Sequence, residues 1–198
     1  MKTPKEIIKN RVNELGQTQP QEVKDAIEKL ALDIYEKGMK PKDAMGLSDQ
    51  MVEGMYSFGY RLYNTGKYDQ ASQLFRLLIM LDPMQARFMM GLGACLHMQK
   101  KYEDASNAYV LCAVLDLKNP LPHYHAADCY MEDNKLELAV TALQSCIIIC
   151  GEQPQYSAIK ERALAMLQGI LSKVDEKYKE PKTHLDLQKT IQTGLQPR

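Results

Sequence analysis

The stretch MGLGACLHMQKKYEDASNAY, residues 90–109, decides the fold. Thirty-four residues earlier stands YSFGYRLYNTGKYDQASQLF, and thirty-four later YHAADCYMEDNKLELAVTAL. Aligned this way, Gly59, Gly93 and Ala127 coincide, as do Ala71, Ala105 and Ala139. Phe75, Tyr109 and Leu143 also coincide, and so do Tyr68, Tyr102 and Leu136. Four residue classes agreeing across three copies mark an internal repeat. Leu81-Asp82 before Pro83 and Leu115-Asp116 recur with the same period. Cys95, Cys112, Cys129 and Cys146 march at half of it, 17 residues apart. A fixed stride suits small buried slots repeated along a stack better than a disulfide framework, which an odd five Cys without C-x-x-C also disfavours. Cys146 and Cys150, one helical turn apart, keep a zinc site open as the alternative.

A period of 34 with small residues at positions 8 and 20 and a large one at 24 is the tetratricopeptide signature. Each repeat is a helix, a tight turn and a second helix. The small residues sit where the two helices cross, and the large one fills the space beside the crossing. The expected fold class is all-α: a solenoid of three helix-turn-helix repeats over 52–85, 86–119 and 120–153. The Trp usual at position 4 is replaced by Met55, Met89 and His123, and Leu117 stands where Pro is usual. Gly151, Pro120 and Pro154 still punctuate the helix ends.

A stack of repeats needs caps, because its ends otherwise expose apolar faces. Residues 154–174 supply one, with Ile159, Ala163, Met166, Leu167, Ile170 and Leu171 at helical spacing. Residues 175–198 read as a mobile tail. Residues 1–51 form an N-terminal helical segment. Within it Val23, Ile27, Leu30 and Ile34 make one apolar stripe, closed by Gly38, that packs on the first repeat or on a second copy. A shorter helix before it carries Ile8, Val12 and Leu15 on a face, and Ser48 is placed to cap the first repeat helix.

Twenty-five Lys+Arg balance 25 Asp+Glu, and no basic stripe stands out, which argues against phosphate-directed binding of nucleic acid. No apolar run of about 18 residues exists to span a membrane. Residues 1–16 lack the apolar centre of a secretory signal, so a cytosolic location is expected. There is no G-x-x-x-x-G-K-[ST] loop, and no convergent acid–base or metal set, so neither an enzyme nor a cofactor is expected.

In a solenoid of this kind the first helix of each repeat lines an inner groove, through positions 2, 5, 9 and 12. These are Glu53, Tyr56, Tyr60 and Tyr63 in the first repeat. They are Arg87, Met90, Ala94 and His97 in the second, and Leu121, Tyr124, Asp128 and Met131 in the third. Phe58, Gly59 and Leu62 are expected on the side turned toward the second helix. Tyrosine gives a peptide groove large contact area and a hydroxyl for main-chain bonds. Methionine adds adaptability. His123 and His125 stand two apart on one helix, a poor metal pair. A general adaptor that reads a partner's terminal carboxylate is the alternative, but it would want Lys and Arg on the inner positions, where only Arg87 is found.

The GLGAC run after Arg87-Phe88, the D-x-K-x-P of Asp116, Lys118 and Pro120, and the H-A-A-x-C run of His125 to Cys129 carry a closer likeness. Over about residues 21–172 the chain resembles the class II chaperones of bacterial type III secretion, the SycD/LcrH family. The resemblance implies a cytosolic bacterial protein that binds hydrophobic translocator proteins before export, holding an extended client segment in the groove. It also implies a homodimer through N-terminal helices, with Val23, Ile27, Leu30 and Ile34 as the candidate face. Client release would draw on the secretion ATPase.

Overall fold

The computed structural model describes residues 3–178, with side chains placed through residue 172. Every regular element among them is helical. The chain divides into two compact units, Met1–Gln85 and Ala86–Arg198.

The first unit opens with α1 (Pro4–Leu15) and α2 (Gln21–Lys37). Thr3 starts α1 through a capping box: the Glu6 amide donates to Thr3 Oγ1 at 3.3 Å, and the Thr3 amide donates to Glu6 Oε2 at 2.8 Å. Of the expected α1 face, Val12 is buried but Leu15 is 84% exposed. Gly38 ends α2 in the left-handed region, φ 62°. No residue of α2 is buried, and Val23 and Ile27 stand 40% and 43% exposed. A short α3 (Pro41–Ala44) follows.

A charge cluster ties α3 to the first repeat. Lys42, 6% exposed, reaches Asp49 Oδ1 at 2.9 Å and also pairs with Asp43. Lys40 Nζ donates to Asp82 Oδ2 at 2.9 Å, and Gln85 Nε2 donates to the same oxygen at 3.2 Å. Burial pushes the Asp82 carboxyl up, but the bonds from Lys40 and Gln85 outweigh it and hold it below its ordinary value. The hydrogen bonds that Lys42 donates to Asp43 and Asp49 raise its pKa well above the ordinary lysine range.

The repeats are three helix pairs: α4 (Asp49–Asn64) with α5 (Tyr68–Leu81), α6 (Ala86–Met98) with α7 (Tyr102–Leu115), and α8 (Leu121–Glu132) with α9 (Leu136–Cys150). The first pair belongs to the first unit. The other two stack consecutively in the second unit, where α10 (Ser157–Tyr178) packs on α9. Ser48 caps α4, accepting from the Met51 amide at 3.2 Å. A cap helix was expected to end at 174, but α10 runs to Tyr178; the remainder of the expected tail, 179–198, lies outside the described residues. Ala163, Leu167 and Ile170 of α10 are buried in one cluster with Ala127, Leu143, Cys146 and Cys150.

The crossings carry the pairs. A Cβ on Gly93 would stand 2.8 Å from the ring of Tyr109, which is 2% exposed. On Gly59 it would meet Phe75 at 3.3 Å. Ala127 occupies the same place in the third pair, with the smaller Leu143 at the aromatic position, and both are fully buried. Methyl and ring thus exchange volume across the crossing. The cysteine ladder fills the core as expected: Cys95, Cys129, Cys146 and Cys150 are 0% exposed and Cys112 is 1%.

The turns inside the pairs repeat as closely. Gly66, Lys100 and Asn134 all take the left-handed conformation, at φ 76°, 60° and 56°. The following Lys67, Lys101 and Lys135 amides then donate to Leu62, Leu96 and Tyr130 carbonyls at 2.9, 2.9 and 2.8 Å. Gly and Asn suit that conformation; Lys100 is strained there, at about 1–2 kcal/mol.

Replacing Gly93 with Ala drives a methyl into a ring that cannot retreat, which costs about 1–3 kcal/mol and outweighs the ~1 kcal/mol gain in helix propensity. Gly59→Ala meets a looser neighbour and stays within about 1 kcal/mol of the parent. Thermal melts of the two variants should therefore separate clearly; a Gly93→Ala protein melting at or above the parent contradicts the crossing. Lys100→Gly relieves the strained turn and raises stability by about 1 kcal/mol, read as a rise of roughly 2–4 °C in Tm. An unchanged or lower Tm speaks against that strain.

Candidate functional site: the inner helices of the repeats

In the first unit α4 carries Tyr56, Tyr60 and Tyr63 at spacings of four and three, so they share a face. Tyr60 is 55% exposed. Tyr56 and Tyr63 are half-buried, each set by an edge-on neighbour from α5: Phe75 at 6.0 Å and Tyr68 at 5.4 Å between ring centroids. Gly59 and Leu62 are buried toward α5, as expected, but Phe58 is not. It is 48% exposed, with the Arg61 guanidinium 5.4 Å from its ring centroid. Its ring borders a shallow apolar hollow with Leu62, Leu74 and Leu77.

In the second unit α6 and α8 line a trough. Arg87 of α6 is exposed, while Met90, Ala94 and His97 of α6, and Leu121, Tyr124, Asp128 and Met131 of α8, are half-buried, so each presents part of its side chain to solvent. The fold brings His97 Nε2 to 3.5 Å from Asp128 Oδ2, which joins the two helices across the trough. The His97 ring also meets Tyr102 edge-on at 5.8 Å. Arg87 lies 5.1 Å from the Phe88 ring centroid.

Two side chains outside the expected set complete this wall. His125 stacks on Tyr109 at 5.3 Å and meets Tyr124 edge-on at 5.6 Å, so it props the trough tyrosine against the core. Burial, with a smaller push from His97, lowers the His125 pKa below the ordinary histidine value. Tyr102 lies behind His97, its phenol raised by burial and by its bond to Glu132. The period of 34 already aligns Tyr102 with Tyr68 and Leu136; no spacing signals the stacking role of His125, because its partner ring comes from another helix.

Burial pushes Cys95, Cys129 and Cys146 up to about 12 and Cys112 up to about 11, so none is a thiolate nucleophile at neutral pH. Cys146 and Cys150 hydrogen-bond to each other inside the core. Among the described residues no three His, Cys, Asp or Glu converge as metal ligands, and no helix is long and apolar enough to cross a membrane.

Comparison with known proteins matches this geometry. The tetratricopeptide repeat family model fits residues 52–84 and 88–119, the first two helix pairs. Low calcium response locus protein H of Yersinia pseudotuberculosis is 32% identical over 124 residues, 63% of this chain and 74% of its own. The translocator chaperone SycD of Yersinia enterocolitica, solved with a peptide of the translocator YopD, is 32% identical with a TM-score of 0.62 over 64% of this chain and 96% of its own; it has also been solved as an alternative dimer. PcrH of Pseudomonas aeruginosa, solved with the chaperone-binding region of PopB, is 37% identical with a TM-score of 0.60 over 62% of this chain and 98% of its own. With its tetratricopeptide hairpins, its unreactive thiols and these relatives, the chain belongs to the SycD/LcrH family of type III secretion translocator chaperones.

Proposed function

We propose that this protein holds hydrophobic translocator proteins of a type III secretion system in the bacterial cytoplasm before export. An extended client segment lies along the inner helices, with its apolar side chains between tyrosine and methionine. One observation carries this reading: Met90, Tyr124 and Met131 stand half-buried around the His97–Asp128 pair, in a chain related to PcrH, which holds a translocator segment. Each well-buried client anchor contributes about 1.5–3 kcal/mol. Several anchors, less the cost of ordering the strand, give micromolar to nanomolar affinity, tight enough to protect and loose enough to release. The protein makes no covalent change in its client; the secretion ATPase supplies the work of release. With Arg87 the lone cation at the inner positions, a carboxylate-reading adaptor is disfavoured.

Two copies associate through α2. Val23 and Ile27 remain exposed on a helix with no buried residue, beside Ala26, Leu30 and Ala44 in a shallow apolar trough. SycD, solved as an alternative dimer, supports association of two copies.

Co-expression with each hydrophobic translocator, followed by affinity capture, tests the groove. Tyr56→Ala combined with Tyr60→Ala should weaken capture at least tenfold while helical circular dichroism is retained. Undiminished capture would remove the tyrosines from the client site. Val23→Asp with Ile27→Asp should shift the protein to the monomer mass in light scattering, since two buried like charges oppose association. A mass equal to the parent's returns α2 to a purely intramolecular role.

A further inference from the structure

We infer that His125 is the positioning residue of the trough and makes it sensitive to acid: the neutral ring holds Tyr124 in its binding pose, and the protonated ring lets it go. This rests on the reading of that trough as the cradle for an extended client strand, and it names what regulates its hold.

Three helices set the geometry. His125 of α8 stacks on Tyr109 of α7, with ring centroids 5.3 Å apart and the planes inclined by 25°. It meets Tyr124 edge-on, at 5.6 Å and 76°. Tyr109 is 2% exposed and is backed by Gly93 of α6, where even a Cβ would stand 2.8 Å from the ring. The wall behind His125 therefore cannot yield. Tyr124 also packs against the apolar cluster of Ala127, Leu143 and Cys146, a contact that no proton alters. His125 is thus the neighbour through which a change of pH near neutrality reaches the tyrosine.

The charged groups that bear on His125 are His97 of α6, which opposes a proton on it, and Asp128 of α8, which favours one. Asp128 Oδ2 already faces His97 Nε2 at 3.5 Å, so the carboxylate that would steady a charged His125 is set against another imidazole. The phenols of Tyr109 and Tyr124 lie against the ring itself. A tyrosine face attracts a cation, but a charged imidazole also needs water, and the closed side at Tyr109 supplies none. Water reaches the ring from the trough, past Tyr124. Hydrating the charge therefore turns Tyr124 out of its place.

Burial, with a smaller push from His97 and an opposing pull from Asp128, lowers the His125 pKa below the ordinary histidine value. The ring is neutral and the pose intact above about pH 6.5, and both are lost as the pH falls through the lowered value. A strand in the trough excludes more water and so favours the neutral ring further. Its affinity then declines in acid by up to about tenfold per pH unit, the limit for one excluded proton.

The test uses the full-length protein and two readouts between about pH 7.5 and pH 5. In the free protein, NMR of isotope-labelled tyrosine and histidine rings should show the Tyr124 signal moving with the His125 titration. It should stand still in His125→Phe, which keeps an aromatic ring but takes no proton. Calorimetry with the chaperone-binding region of PopB as the probe should give the parent an affinity about tenfold weaker at the acid end, and His125→Phe no such loss. His97→Gln should keep the loss, because it removes only the second imidazole. Helical circular dichroism at each pH checks that the fold persists. A Tyr124 signal that ignores the His125 titration in the parent overturns the proposal, whether or not the variant folds. So does an acid loss equal in parent and His125→Phe, a loss that vanishes in His97→Gln, or an affinity that rises in acid. No binding of a translocator segment at any pH, with Tyr124 still following His125, sinks the client reading and leaves the positioning role standing.

Discussion

The contact on which the rest depends is the closest one in the molecule's repeat: Gly93 against the face of Tyr109, with no room for a methyl between them. It lets two helices approach at backbone distance, and the ring then seals the gap beside them. The same exchange of volume recurs as Gly59 with Phe75 and as Ala127 with Leu143. Because each pair closes through this contact, the first helix turns its remaining face outward. A binding surface is therefore a by-product of how the hairpin closes, and its side chains are free to vary in character while the crossing is not.

What varies is informative. The inner positions hold tyrosine, methionine and one polar pair, His97 with Asp128, rather than a lattice of cations or a set of convergent nucleophiles. The thiols that might have offered chemistry are the most deeply buried small residues present, and burial keeps them protonated. A surface that is apolar, adaptable and chemically quiet suits a protein whose task is to cover another chain until it is exported. Tyr124 is held by an imidazole that is in turn stacked on Tyr109, so the crossing and the proposed client surface share one chain of rings. Disturbing the core at Tyr109 would loosen Tyr124 as well.

The amino-acid sequence by itself determined the period, the helix pairs, the buried cysteines and the cap helix. All of these follow from spacing: a residue's place within 34 dictates which way it faces on its own hairpin. It also pointed to Ser48 and Gly38 as helix ends, through local capping chemistry. Contacts between hairpins obey no such local rule, and there only the tertiary structure could decide. Phe58 was expected inward and stands outward. His125 was dismissed as half of a poor metal pair and proved to be the prop behind Tyr124. Lys40 and Asp82, 42 residues apart, meet in a cluster that no spacing announces. Periodicity gives the direction of a side chain relative to its own helix; which ring or charge arrives from elsewhere to meet it depends on how the helices stack, and that is set by volumes summed over many residues at once.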